Sequence, residues 1–155
     1  MELKTQIHAE DGKQELFITR EFDLPLNLLF RAYIEPEIVA QWMGTKVVKL
    51  ENKQHGSWQF ETTDPMGNKH GFHGTIHEFS INQRITRTFE MSNANFGPQL
   101  EFLEFEQLTN QTSKLTMHVV YRSVEIRDQL LQLPFKQGIN MAHNRLQEIV
   151  KNLQP

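Results

Sequence analysis

The chain has 155 residues, of which 38% are hydrophobic and 23% are charged, and its formal net charge is −3 at pH 7. These proportions are typical of a globular domain and exclude a disordered chain or a collagen-like fibre. The chain has no cysteine, which excludes disulfide frameworks, thiolate nucleophiles and cysteine-ligated metal centres. The mild acidic balance and the scattered basic residues argue against nucleic-acid binding. Because the sequence shows neither a signal-peptide h-region nor an apolar run long enough to span a membrane, we expect a cytoplasmic protein without membrane insertion.

The first part of the chain predicts one strand followed by two short helices. Hydrophobic residues alternate over residues 14–22, as in a half-buried strand. Apolar residues then recur at three- and four-residue steps over residues 26–34, which is the stripe of an amphipathic helix. Pro36 suits the first turn of a second helix, and Gly44 is placed to end it. Trp42, on the apolar side of this second helix, is predicted to roof the opening of the interior.

The middle of the chain predicts a series of strands joined by short polar turns. Segments with alternating hydrophobicity lie at residues 57–62, 70–79, 84–91, 100–108 and 115–121. Consecutive strands with short connections indicate an antiparallel meander. In the fourth segment the alternation breaks between Phe102 and Leu103, which predicts a β-bulge there.

The last part of the chain predicts a long helix. Ser123 is a plausible N-cap for the helical region. After Pro134 the apolar residues follow one another at steps of four and three, at Phe135, Ile139, Ala142, Leu146, Ile149 and Leu153. This spacing predicts about five helical turns with one apolar face. The sequence therefore predicts an α+β fold, in which a curved antiparallel β-sheet is wrapped round a long C-terminal α-helix and two short helices follow the first strand.

Three stretches of the sequence resemble one known superfamily. The segment from Ile18 to Trp42, with its spacing of proline, phenylalanine and tryptophan, resembles the opening of the SRPBCC superfamily. The resemblance is to the branch named after the activator of the 90-kDa heat-shock chaperone ATPase, of the C-terminal-domain type. Residues 56–60 (Gly-Ser-Trp-Gln-Phe) resemble the next strand of that branch, and residues 74–79 with Arg84-Ile85 resemble its central hairpin.

The resemblance covers residues 14–153, and the final helix matches in register. It implies the helix-grip fold of START domains and the birch-pollen allergen, as a single START-like domain over residues 1–155 with an internal apolar cavity. Many members carry a Gly-Trp pair early in the last helix, where this chain has Met141-Ala142. A small residue in place of an indole is expected to enlarge the cavity beneath the helix.

We predict that the wall of this cavity is aromatic and apolar. Five aromatic side chains are expected to face the long helix, namely Trp58, Phe60, Phe72, Phe89 and Phe102. Met117, Ile139 and Ala142 are expected to complete the wall, with Trp42 as the roof. Such a cavity binds apolar molecules.

Arg87 is the candidate polar group of the cavity, because it shares strand parity with inward-facing Ile85 and Phe89. A buried charge is unfavourable unless it is paired. The preferred interpretation is that Arg87 lies near the end of the sheet and extends its guanidinium to water. The alternative is a pair with a carboxylate, supplied by Glu104 or by a ligand.

The histidines predict no metal site. His70, His73 and His77 are close in sequence, but strand alternation places His70 and His73 on opposite faces. His73 and His77 share a face about 13 Å apart, at about 3.3 Å per residue, which is too far for one metal ion. His118 is expected on the outer face of the sheet. His143 either flanks the last helix at the surface or reaches the edge of the cavity.

No catalytic residue is predicted. The sequence contains no nucleophile elbow and no glycine-rich phosphate loop. The carboxylates Glu101, Glu104 and Glu106 are interpreted as a solvated strand edge, and no cofactor is predicted.

Three functions follow as hypotheses. The first is binding of a small hydrophobic or aromatic ligand between the sheet and the C-terminal helix, without covalent chemistry. The second, from the resemblance, is an interaction module that stimulates a heat-shock chaperone. The third is a cyclase- or isomerase-like enzyme that uses Arg87 or His143 as an acid–base aid.

Overall fold

The structure is a computed structural model that describes residues 3–153. In chain order its elements are β1 (Gln6–His8), β2 (Glu15–Phe22), α1 (Leu26–Ile34), α2 (Pro36–Met43), β3 (Lys46–Leu50), β4 (Ser57–Thr63), β5 (Lys69–Ser80), β6 (Arg84–Met91), β7 (Gln99–Thr109), β8 (Thr112–Val120), α3 (Val124–Gln132) and α4 (Phe135–Lys151).

The eight strands form one curved antiparallel sheet in the order β1-β2-β8-β7-β6-β5-β4-β3. Strand β2 pairs with β8, far along the chain, whereas β3 to β8 pair in sequence order. Helices α1 and α2 connect β2 to the opposite edge of the sheet at β3. The long helix α4 packs against α1 and α2 as well as the core. The predicted helix-grip α+β fold is confirmed.

The ends of the short helices follow from local chemistry. Pro36 occupies the first turn of α2, where a missing N–H leaves no hydrogen bond unmade. Gly44 ends α2 with φ of 60°, a left-handed conformation that glycine adopts without a Cβ penalty. Ser123 caps α3, and its side chain accepts a hydrogen bond from the backbone N–H of Ile126, as predicted.

Three details differ from the sequence-based expectation. Strands β1 and β3 were not predicted, because β1 has three residues and the alternation of β3 is interrupted by a register shift at Val48. The predicted bulge between Phe102 and Leu103 is wrong. Both residues keep regular pairs with β6 and β8, and the irregularity of β7 falls between Gln107 and Thr109.

The buried face of α4 is rotated from the predicted stripe. Its fully buried residues are His143, Leu146 and Val150, whereas Leu153 is exposed. Helix α2 packs beside α4, and periodicity within α4 alone does not include this second contact surface. Within residues 3–153, no helix combines the length and apolarity needed to cross a membrane.

Candidate functional site

A cavity of about 570 Å³ lies between the inner face of the sheet and the first half of α4. Most of its lining is apolar, contributed by Ile18, Trp42, Met43, Phe89, Met91, Phe96, Met117, Val119, Leu130, Leu133, Pro134, Phe135, Ile139 and Ala142. Its polar side chains are Tyr33, Arg87, Gln99, Glu101, Tyr121 and His143. An apolar cavity of this size with a few converging polar groups has the anatomy of a small-molecule site.

The structure brings six of the ten predicted cavity residues to this lining. They are Trp42, Arg87, Phe89, Met117, Ile139 and Ala142. The indole of Trp42 is oriented by a hydrogen bond of 2.7 Å from its Nε1 to the carbonyl oxygen of Ala32 in α1. This hydrogen bond between the two short helices holds Trp42 in the lining of the cavity, where the sequence predicted it.

Trp58, Phe60 and Phe72 do not border the cavity. The ring of Trp58 lies 4.8 Å from that of Phe60 and 5.5 Å from that of Phe89, and Phe72 also lies 5.5 Å from Phe89. The inward parity of these residues was predicted correctly, but β4 and β5 lie outside the strands that line the cavity. Phe89 on β6 is the member of this aromatic cluster that reaches the cavity.

The expectation that Phe102 faces the long helix is wrong. Because β7 has no bulge at this position, Glu101 and Leu103 point inwards and Phe102 points outwards. Its ring stacks on that of His118, with centroids 5.5 Å apart. His118 also stacks on Phe17 at 4.3 Å, so its predicted position on the outer face is confirmed.

Arg87 forms a buried ion pair with Glu101. The two residues are directly opposite each other on β6 and β7, and Arg87 Nε lies 3.0 Å from Glu101 Oε1. The other carboxylate oxygen, Oε2, accepts a hydrogen bond of 2.7 Å from Gln99. The preferred expectation that Arg87 extends to water is therefore wrong, and Glu104, an exposed residue of the outer face, is not its partner.

Sequence reasoning missed the role of Glu101 because the misplaced bulge assigned it to a solvated edge. The register of the hairpin formed by β6 and β7 was the available signal. Trp58 supports the pair from behind, since the Arg87 guanidinium carbon lies 5.1 Å from the centre of its ring. A cation over an indole face gains further stabilisation.

Tyr33 and Tyr121 add two phenol hydroxyls to the cavity. Burial raises the pKa of both side chains above the usual tyrosine value, so both remain protonated at neutral pH. Among residues 3–153 neither hydroxyl has a hydrogen-bond partner. Every fully buried side-chain polar atom there does have a partner, so the two hydroxyls are not fully buried. Both residues line the cavity, so their unpaired hydroxyls are available there to donate a hydrogen bond.

His143 takes the second of its two predicted positions, at the edge of the cavity. It is 2% exposed, and its Nδ1 lies 2.7 Å from the hydroxyl of Thr5. Burial, followed by the nearby charge of Arg20, lowers the pKa of His143 to about 3. The imidazole is therefore neutral at pH 7. Its partner Thr5 lies in the N-terminal segment, and nothing in the sequence pattern linked the two.

The clustered histidines are arranged on the surface with separate partners. His70 Nε2 lies 3.0 Å from Asp64, and His73 Nε2 lies 3.4 Å from Glu90. Across residues 3–153, no three or more histidine and carboxylate side chains come together in a group that could hold a metal ion.

The fold and the cavity together define a helix-grip protein with a mostly apolar cavity between its sheet and its long helix. The family described as "Activator of Hsp90 ATPase homolog 1-like protein" matches residues 23–151. The chain therefore belongs to this family, in agreement with the resemblance noted in the sequence.

Solved structures share the fold at low sequence identity. A Rhodobacter sphaeroides protein is 19% identical with a TM-score of 0.86, covering 96% of this chain and 99% of that one. A Mycobacterium smegmatis protein is 18% identical with a TM-score of 0.84, covering 94% and 96%. An Arthrobacter aurescens protein is 13% identical with a TM-score of 0.86, covering 95% and 91%. No curated protein matches the sequence. These likenesses establish the fold alone.

Proposed function

We propose that the protein binds a small hydrophobic or aromatic molecule in the cavity between the sheet and α4. The observation that carries this proposal is the cavity itself, about 570 Å³ with a largely apolar lining. Its volume lies within the range of about 300–1,000 Å³ that is typical of small-molecule sites. The mechanism is reversible binding, and no covalent step is needed.

Burial of apolar surface supplies the affinity. A ligand that buries about 300 Å² of apolar surface gains about 7 kcal/mol, at about 25 cal/mol per Å². The loss of translational and rotational freedom offsets part of this gain. Because a Kd of 1 μM corresponds to about 8 kcal/mol and a Kd of 1 mM to about 4 kcal/mol, we expect affinity weaker than micromolar for a two-ring aromatic molecule, with the polar groups of the cavity setting its orientation.

Filling the cavity tests the proposal. Ala142 borders the cavity, whereas its neighbour Met141 is exposed. An Ala142→Trp variant should lose at least about tenfold in affinity for the neutral fluorescent probe N-phenyl-1-naphthylamine, because the new indole occupies the probe's space. The matched control Met141→Trp adds the same side chain to the surface and should bind like the unmodified protein.

Two results contradict the proposal. One is the absence of probe binding to the unmodified protein. The other is unchanged binding by an Ala142→Trp variant whose circular dichroism spectrum shows that it is folded.

The family match favours a second candidate, which is interaction with a heat-shock chaperone. The match covers residues 23–151, and the family is described by a chaperone-ATPase activator. The test is the ATPase rate of the chaperone from the same organism with and without this protein. An unchanged ATPase rate together with no complex in a pull-down would contradict this candidate function. Location in the cytoplasm, which either function would suit, stays a prediction.

A further inference from the structure

Two opposite charges stand in the lining of the cavity. Among the described lining residues, Arg87 and Glu101 are the only ones that carry a full charge at neutral pH, because burial keeps His143 neutral. Both Glu101 oxygens accept hydrogen bonds, one from Arg87 and one from Gln99. This pattern is that of an ionised carboxylate, which accepts hydrogen bonds and donates none. The lining of the cavity is therefore electrically balanced before any ligand enters.

The hydrogen-bonding groups that remain free in the cavity are donors. Arg87 uses only its Nε in the pair, so the terminal nitrogens Nη1 and Nη2 have no acceptor among residues 3–153. The hydroxyls of Tyr33 and Tyr121 are also unpaired there and protonated. Donors without a protein acceptor in a mostly apolar cavity favour a ligand that brings an acceptor oxygen.

A ligand carboxylate offers acceptor oxygens but also brings a second negative charge. It would share the Arg87 guanidinium with Glu101 in a mostly apolar cavity, where like charges repel and a bound carboxylate loses part of its hydration. The ketone, ester, amide or hydroxyl oxygen of a neutral ligand accepts the same hydrogen bonds and leaves the charges balanced.

Resting on the proposed function, we infer that the cavity selects uncharged molecules with an oxygen acceptor and that Glu101 excludes organic anions. Glu101 thus determines specificity by repelling anions. Arg87, Tyr33 and Tyr121 orient the oxygen of the ligand. Trp58 holds the guanidinium in place from behind.

Three naphthalenes of similar shape test the inference by isothermal titration calorimetry at neutral pH. They are 2-acetonaphthone, which is a neutral ketone, 2-naphthoate, which is an anion, and 2-isopropylnaphthalene, which has no oxygen. The ketone should bind about tenfold or more tighter than the anion, and also tighter than the hydrocarbon despite the greater apolarity of the hydrocarbon. An anion that binds as tightly as the ketone overturns the inference, and so does a hydrocarbon that does.

The Glu101→Gln variant sharpens the test, because it keeps an oxygen beside Arg87 and removes the negative charge. Affinity for 2-naphthoate should rise about tenfold or more, while affinity for the ketone should change less than about threefold. The matched control is Glu104→Gln on the outer face of the same strand, which should alter neither affinity. An unchanged affinity for 2-naphthoate in folded Glu101→Gln overturns the role of Glu101.

The outcomes separate this inference from the proposed function. If none of the three compounds binds the unmodified protein, the proposed function fails and the inference falls with it. If 2-naphthoate is preferred, cavity binding stands and only the inference is overturned. Should Glu101→Gln fail to fold, the comparison of the three compounds on the unmodified protein still decides the inference.

Discussion

The two halves of α4 lie over the same sheet but have different surroundings. In the second half, Leu146 and Val150 are completely buried. This half is also tied to α2 by a hydrogen bond of 3.2 Å from Arg145 to the carbonyl oxygen of Trp42. In the first half, Ile139 and Ala142 are only partly buried and border the cavity. An apolar helical stripe thus shows which side of a helix faces inwards without showing whether neighbouring atoms fill the space beneath it.

The two halves also differ in the chemistry that they cover. The second half, called the closed half below, covers apolar side chains, so its contribution to stability depends on how well side-chain volume fills the core. The first half, called the hollow half below, covers the cavity with the Arg87–Glu101 pair, so the stability of this region depends on charge balance. Four experiments distinguish these dependences.

The largest expected effect on stability comes from removing side-chain volume in the second half of α4, and the same change in the first half serves as the comparison. Leu146→Ala should lower the free energy of unfolding by about 3–5 kcal/mol, because the surrounding core cannot close round the lost atoms. Ile139→Ala should lower it by only about 1 kcal/mol, since that side chain already borders empty space. Urea unfolding measures both values, and equal losses would remove the distinction between the halves.

Breaking the ion pair should destabilise the hollow half almost as strongly. Arg87→Met leaves the carboxylate of Glu101 buried without its partner and should lower the free energy of unfolding by about 3 kcal/mol. Adding Glu101→Leu to that variant should restore much of the loss, because it removes the unpaired charge. A single variant as stable as the unmodified protein would show that the pair does not matter for folding.

Acidification should weaken the hollow half through His143. Its pKa is lowered to about 3 in the fold, against about 6.5 in an unfolded chain. The unfolded state therefore binds the proton more readily, and stability falls as the pH drops below about 6.5, by about 1.4 kcal/mol per pH unit. This amounts to about 2 kcal/mol at pH 5.

The His143→Asn variant isolates this effect, because its amide oxygen can replace Nδ1 as a partner of Thr5 while it does not titrate. The difference in stability between the two proteins should shrink as the pH falls from 7 to 5. A constant difference, measured by urea unfolding at each pH, would show that His143 does not take up the proton on unfolding.

The smallest effect concerns the exposed side of the hollow half. Gly138 lies in α4, and an added Cβ there would meet no atom within 4 Å. Gly138→Ala should raise the free energy of unfolding by about 1 kcal/mol, because alanine has the higher helix propensity. Thermal unfolding should show a higher Tm with unchanged probe binding, and a lower Tm would contradict the local geometry.

Much of the fold was predictable because it depends on short-range patterns. The alternation over residues 115–121 and the steps of four and three after Pro134 mark a strand and a helix without reference to the rest of the chain. Pro36 and Gly44 act on their own backbone conformations. Strand β3 escaped prediction because the shift at Val48 removes the alternation on which such a prediction depends.

The candidate site was predictable only in part. Phe89, Met117 and Ala142 reach the cavity because their elements and faces were predicted correctly. Phe102 was misplaced because a one-residue error in strand register moves a side chain to the opposite face. Glu101 was missed although the register of the β6–β7 hairpin pairs it with Arg87. Thr5 could not be found, since its role depends on a partner in α4.

The sequence by itself determined the helix-grip fold and its family, the apolar faces of β2, β4, β8, α1 and α2 and the inward position of Arg87. These properties follow from hydrophobic periods, caps and turn residues that act over a few positions. Only the tertiary structure decided the rotation of α4, the extent of the cavity and the partners of Arg87 and His143. These depend on strand register and on the curvature of the sheet beneath a helix, which bring together residues that are distant in the chain.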